Sequence, residues 1–199
     1  MTSESKSLED KSRKVRAPHE TEALKDKILD ISRKYFAESA FDKVRLEDIA
    51  SNAGTSVAYI MRTFNSKEEL YIKAMERKFM VWGMVGTDRD KLAINLLNHV
   101  TAVSRKEGDI QHVFMLVQGV LSPKMHESVS LYFEEQFVNP LAKYLGGERA
   151  HERASIILST LFGITYNRYI HKNKFFQDPT QLEFIQKTLA PYIQSLIDG

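Results

Sequence analysis

Apolar positions recur along this chain at the three-to-four-residue spacing of amphipathic helices, and no stretch shows the alternation of a strand. In the first third, Ile28, Ile31 and Phe36 share one face. Leu46, Ile49, Ala50 and Ala53 make a second, and Val57, Ile60, Met61 and Phe64 a third. These patterns predict three short helices over 21–66, separated by tight breaks. Ser66 opens a fourth helix, with Glu69 three residues on as a capping box. Its apolar positions are Leu70, Ala74, Phe79 and Trp82, and Gly83 and Gly86 end it. Asp88 is expected to cap a fifth helix holding Leu92, Leu96, Leu97, Val100 and Val103. A sixth runs from Asp109 to Leu121. Ser122-Pro123 opens a seventh, with Pro at the favoured first position, and Gly146-Gly147 closes it. An eighth spans Glu148 to His171, and a ninth follows Pro179-Thr180 to Ile197. The expectation is an all-α chain. It divides into an arm over 1–20, a three-helix unit over 21–66 and a larger helical domain over 67–199.

The break between the second and third helices reads Ala53-Gly54-Thr55-Ser56. Gly54 can take positive φ and stop a helix sharply, and Ser56 can cap the next one. Helix, short Gly-containing turn and second helix make a helix-turn-helix, whose second helix enters the major groove of DNA. The segment resembles the N-terminal domain of the TetR (tetracycline repressor) family of transcriptional regulators. The resemblance is carried by Phe36-Ala37-Glu38, Phe41, Asp48-Ile49-Ala50, Ala53-Gly54, Ser56, Ile60, Phe64 and Ser66-Lys67-Glu68-Glu69-Leu70. It departs from the family pattern on the expected DNA face. Val44 stands where Thr is usual, Val57-Ala58 replace Lys-Gly, and Met61-Arg62-Thr63 replace Tyr-His-Tyr. The resemblance implies a second domain that binds a small-molecule effector among its middle helices. It also implies a homodimer built on the last two helices, and palindromic double-stranded operator DNA as partner.

Composition narrows the classes. With 43% hydrophobic residues the chain can bury a core. It has no cysteine, which removes disulfides and cysteine–zinc sites and fits a cytoplasmic setting. No apolar run reaches the length of a membrane span, and the N-terminus is polar rather than a signal peptide. A net charge of +2 does not by itself argue for nucleic acid. The charge is concentrated in Lys11, Arg13, Lys14 and Arg16, which form either a solvated tail or an arm that neutralises phosphates. Enzyme readings fail on specifics. There is no phosphate-binding glycine loop and no nucleophile elbow, the six His are scattered, and no cofactor or metal is expected.

The expected DNA-contacting residues are Arg45, Thr55, Ser56, Val57, Tyr59, Arg62, Thr63 and Lys67. Tyr59, Arg62 and Thr63 are the polar side chains left to face outward from the third helix. Arg62 suits either a bidentate guanine contact or a phosphate clamp. Val57 either supports the turn or meets a thymine methyl. By the resemblance, Lys67 is a phosphate contact. For the effector the candidates are Phe79, Trp82, His112, Met115, Phe133, Phe137, Phe162 and Tyr166, since Met and aromatic residues line adaptable apolar pockets. Each could equally be plain core. For the dimer interface, Ser155, Ser159 and Gly163 recur every four residues as a small-residue ridge, and Leu182, Ile185 and Leu189 form a near-heptad stripe. The function these readings imply is a repressor released by a small apolar or aromatic effector. The alternatives are an effector-independent regulator, or a ligand-binding or adaptor protein with weakened DNA binding.

Overall fold

The structure is a computed structural model that describes residues 18–76, 88–102 and 107–199. Among the described residues every regular element is helical. α1 spans Pro18–Glu38, α2 Leu46–Ala53, α3 Val57–Phe64 and α4 Lys67–Met75. α5 spans Leu92–Thr101, α6 Glu107–Leu121, α7 His126–Phe133 and α8 Asn139–Leu145. α9 covers Ala150–Thr165 and α10 Pro179–Asp198.

The first four helices close on one apolar cluster in which Ile28, Phe36, Phe41, Ile49, Ile60, Leu70 and Tyr71 are essentially inaccessible to water. Pro18 does not interrupt the chain as a polar arm would suggest; it begins α1. The fourth helix is shorter than its apolar pattern implies. Glu76 leaves helical geometry at φ −64° and ψ 79°. At this end side chains reach the helix carbonyls: Arg33 Nε donates to Ala74 O at 2.7 Å and Tyr132 Oη to Met75 O at 2.9 Å. Phe79 and Trp82, expected on this helix, lie outside the described residues.

The seventh helix also differs from expectation. Ser122–Met125 forms a turn, with the Ser122 carbonyl accepting from both Met125 and His126, and helical geometry starts at His126. Between α7 and α8 the chain widens into a π turn, Glu134–Val138, where the Asn139 N–H reaches Glu134 O. Pro140 explains it. It has no N–H for the Gln136 carbonyl, and its ring would collide with that group in a regular helix. A second π turn, Tyr166–Ile170, follows α9. Asp178 caps α10 by accepting from the Thr180 N–H at 2.8 Å. Two arginines gather helix C-terminal carbonyls at one end of the domain. Arg89 donates to Leu145 O at 3.1 Å and to Ile197 O, and Arg153 donates to Leu196 O at 2.9 Å and to Gly146 O. A cation there complements the negative end of the helix dipole.

α1 and α4 pack on the second domain, α1 chiefly along α6. The three-helix unit is therefore seated on the helix that forms the middle of the larger domain.

Candidate nucleic-acid interface and ligand cavity

Local chemistry builds the turn. Gly54 sits at φ 72° and ψ 39°, the left-handed region that an L side chain resists. The Thr55 N–H reaches back to Ala50 O at 2.9 Å, closing α2 in the glycine-ended manner. Ser56 Oγ then accepts from the Tyr59 N–H at 3.2 Å and starts α3. Asn65, at φ 62°, ends α3. Ser66 caps α4 by accepting from the Glu69 N–H at 3.0 Å. The other half of the expected capping box is replaced: the Glu69 carboxylate accepts from Asn65 Nδ2 at 2.8 Å.

The outward face of α3 is set by its packing. Ile60 and Phe64 are buried, and Val57 and Tyr59 pack partly against the core. Ala58, Met61 and Arg62 are the exposed residues of the helix. Tyr59 and Thr63, expected to face outward, are half-buried. The Thr63 hydroxyl donates to Tyr59 O at 2.8 Å, so its proton is already used within the helix. Arg62 lies over the Tyr59 ring, 5.4 Å from its centroid, and this contact presents the guanidinium at the surface. Ala58 and Met61, on the expected DNA face, were left out of the candidate contacts because they are apolar. Their spacing with Arg62 (i, i+3, i+4) is the signal that could have found them. Val44, where the family has Thr, is buried in the core.

Around α3, Arg45 is exposed at the N-cap of α2 and lies 3.6 Å from Glu47. Ser56 is exposed and Thr55 half-buried at the turn. Lys67 is held differently. Its Nζ donates to Phe41 O at 2.6 Å and stands 4.5 Å from the centre of the Phe41 ring. Burial holds its pKa below the ordinary lysine value, with Asp42 opposing and Lys124 adding to that effect. The ammonium keeps donors beyond the one bonded to Phe41 O, and a phosphate can use them.

Two apolar cavities adjoin each other among the described residues of the second domain, apart from a wide polar groove of about 560 Å³ that Asp90, Glu183 and Lys187 help to line. A small one of about 70 Å³ lies among Leu96, Val100, Val113, Leu158, Thr165 and neighbours. A larger one of about 340 Å³ lies between α6, α7 and α9, walled by Leu116, Val117, Val120, Leu121, Val129, Phe133, Ser159, Phe162 and Tyr166. Among the described residues no charged side chain lines the larger cavity. Phe133 and Phe162 border both, Phe137 the smaller and Tyr166 the larger. Of the other expected ligand residues, Met115 is fully buried core and lines neither. His112 is buried beneath the cavities, 6.0 Å from the ring centres of both Tyr132 and Phe137. The cavity-lining Val and Leu residues of α6 could not be told from core by sequence.

The expected dimer residues divide. On α9, Ser159 is exposed, Ser155 and Gly163 are half-exposed, and a Cβ built on Gly163 would meet nothing within 4 Å. The ridge is open to a partner. On α10 the stripe faces its own chain. Leu182 and Ile185 are buried and Leu189 is half-buried against the same core, because this face packs on α5. The apolar residues that α10 leaves at the surface are Phe184 and Tyr192, 60% and 47% exposed.

A helix-turn-helix unit with an open second helix, seated on a helical domain, is the architecture of a DNA-binding transcriptional regulator. Residues 28–74 match the bacterial regulatory proteins of the tetR family, and residues 90–197 match the tetracyclin repressor-like C-terminal domain. The chain belongs to the TetR family of transcriptional regulators. Among solved structures, a transcriptional regulator (TerR/AcrR family) from Aquifex aeolicus superposes with a TM-score of 0.61 at 19% identity, covering 87% of this chain and 99% of that one. NalD of Pseudomonas aeruginosa, the secondary repressor of the MexAB-OprM multidrug efflux pump, gives 0.60 at 15% identity over 90% and 95%. A regulator-like protein from Saccharomonospora viridis, solved in complex with choline, gives 0.59 at 18% over 87% and 96%. At these identities the likeness speaks for the fold. No significant match to a curated protein was found.

Proposed function

We propose that the protein is a homodimeric repressor released from a palindromic operator by an uncharged, largely apolar small molecule. The observation that carries this reading is the cavity of about 340 Å³, whose wall among the described residues is apolar apart from Ser159 and Tyr166. A buried charge on the ligand would find no counter-charge there and would cost several kcal/mol or more. This separates the expected effector from a cation such as choline, which its structural neighbour holds. On the DNA side, the exposure of Arg62 and Arg45 supports base or phosphate contacts, and we assign phosphate contacts to Thr55, Ser56 and Lys67. The dimer is built on the α9 ridge of Ser155, Ser159 and Gly163, joined by Phe184 and Tyr192 of α10. No helix among the described residues is long and apolar enough to cross a membrane.

Linkage supplies the test. A ligand that releases DNA must bind the DNA-bound protein more weakly by the same factor. A panel of neutral aromatic compounds, their charged analogues and choline is titrated calorimetrically with and without bound operator. A neutral compound is expected to bind, and to bind at least about fivefold more weakly when operator is present. A compound bound equally well in both states is only a cavity filler. A panel in which only cations couple to DNA contradicts the proposed effector class.

A further inference from the structure

We infer that Tyr71, seated in the notch left by Gly119, is the positioning residue through which the state of the cavity sets the placement of the DNA-reading unit. This rests on reading the cavity as the effector site.

Helix α6 serves two neighbours. Leu116, Val117, Val120 and Leu121 wall the cavity. Met115 and Gly119, one turn apart, receive Tyr71 of α4. The Tyr71 hydroxyl donates to Met115 O in a buried bond, and Tyr71 itself is fully buried. Gly119 has no room for a side chain. A Cβ there would stand 2.6 Å from Val129 Cγ2 and 3.1 Å from Tyr71 Oη. Val129 is β-branched and fully buried, so it cannot turn aside cheaply. It is also a wall of the cavity. One valine therefore separates the contents of the cavity from the seat of Tyr71.

On its other side the Tyr71 ring meets Phe36 edge-on at 4.7 Å and Phe41 at 5.6 Å. The Phe41 carbonyl is the group that holds Lys67. The route thus runs from Val129 across Gly119 to Tyr71, and through Phe41 to a residue expected on DNA phosphate. The junction has the character of a two-state element. With the tyrosine seated, its buried hydroxyl is satisfied. Displaced, it loses a hydrogen bond in a place without water, so intermediate positions are disfavoured. A second tyrosine provides a control. Tyr132 of α7 also fastens the two domains, through Met75 O at 2.9 Å, and it borders neither cavity.

A double-mutant cycle tests this without a known effector. Val117→Trp fills the larger cavity from its wall and stands in for occupancy; Leu121→Trp, from a position 74% exposed at the rim, does the same with less risk to folding. DNA affinity is measured by fluorescence anisotropy on a duplex that the wild-type chain selects from a random pool. Each filler is combined with Tyr71→Phe and, separately, with Tyr132→Phe, and thermal melting is recorded for every variant. A filler is expected to weaken DNA binding about tenfold or more in the wild-type and Tyr132→Phe backgrounds, and by less than about threefold with Tyr71→Phe. Equal losses in the wild-type and Tyr71→Phe backgrounds would remove Tyr71 from the route while leaving the cavity as the effector site. If neither filler changes DNA affinity in any background, the effector-site reading fails and the inference falls with it.

Discussion

Arg62 and Lys67 are held in opposite ways, and their roles on DNA should differ accordingly. Arg62 is exposed and braced only by the Tyr59 ring, so its fork of donors is free to meet a base edge. Lys67 is pinned to Phe41 O at a fixed point beside the start of α4, which suits a phosphate at a fixed point on the duplex. Arg62→Ala should cost about 1–3 kcal/mol of affinity and relax preference at one position of each half-site. Lys67→Ala should weaken binding to every sequence alike and reduce the salt slope by about one per half-site. Titrations over several salt concentrations and operator variants separate the two. Equal, sequence-independent losses would make Arg62 another phosphate contact. At this scale the sequence was legible where the interaction is local. Gly54 and Ser56 act through their own backbone neighbours, and both took the expected geometry. Tyr59 and Met61 exchanged places relative to expectation because polarity was used to decide what faces outward. Packing against Ile60 and Phe64 decides it instead, and it buries half of an amphipathic tyrosine while leaving a methionine out.

At the level of the element, helix starts were easier to read than helix ends and interruptions. Ser66 caps as its side chain implies, and Asp178, directly before the expected start at Pro179, caps α10. Asp88, expected to cap the fifth helix, caps instead the short 3-10 turn Arg89–Lys91, and α5 starts after Lys91 without a side-chain cap. The C-terminal carbonyls of α4 are met by Arg33 and Tyr132, which arrive from distant parts of the chain, so no nearby residue announces these bonds. The π turn before Pro140 had a local cause, a proline inside an apolar period, that the period itself concealed. α10 carries two apolar faces, and sequence alone could not say which one belongs to its own core. The structure assigns Leu182 and Ile185 to the core and leaves Phe184 and Tyr192 outside. Substitutions should divide in the same way. Leu182→Ala is expected to lower stability by about 2–5 kcal/mol in chemical denaturation, as core truncations do. Phe184→Ala should leave the fold of each subunit intact and loosen the dimer. Gly163→Phe, placing a ring on the open ridge of α9, should force the subunits apart. Sedimentation velocity at micromolar concentration reads both. A Phe184→Ala or Gly163→Phe protein that sediments as the wild-type dimer would place the interface elsewhere, and a wild-type chain that is monomeric would remove it.

Across the whole molecule, the division of labour follows from α6. It carries the DNA-reading unit on one side through Tyr71 and α1, and it walls an uncharged cavity on the other. A two-fold dimer built on α9 and α10 would then place two copies of α3 at a fixed separation. Reading successive major grooves requires about 34–36 Å between them. The family and its architecture were legible in the sequence because the turn motif is compact and contiguous. The cavity was legible only in Phe133, Phe162 and Tyr166; the rest of its wall draws on Val117, Val120, Leu121 and Val129, residues that look like any core. The central claim is that this chain reads a specific palindrome as a dimer, and selection from a random duplex pool tests it most directly. The expected result is enrichment of one inverted repeat, bound by two chains about 10³-fold or more tightly than a scrambled duplex at physiological salt, with the preference lost on deleting either half-site. Failure to enrich any sequence, with scrambled and selected duplexes bound equally, would contradict it.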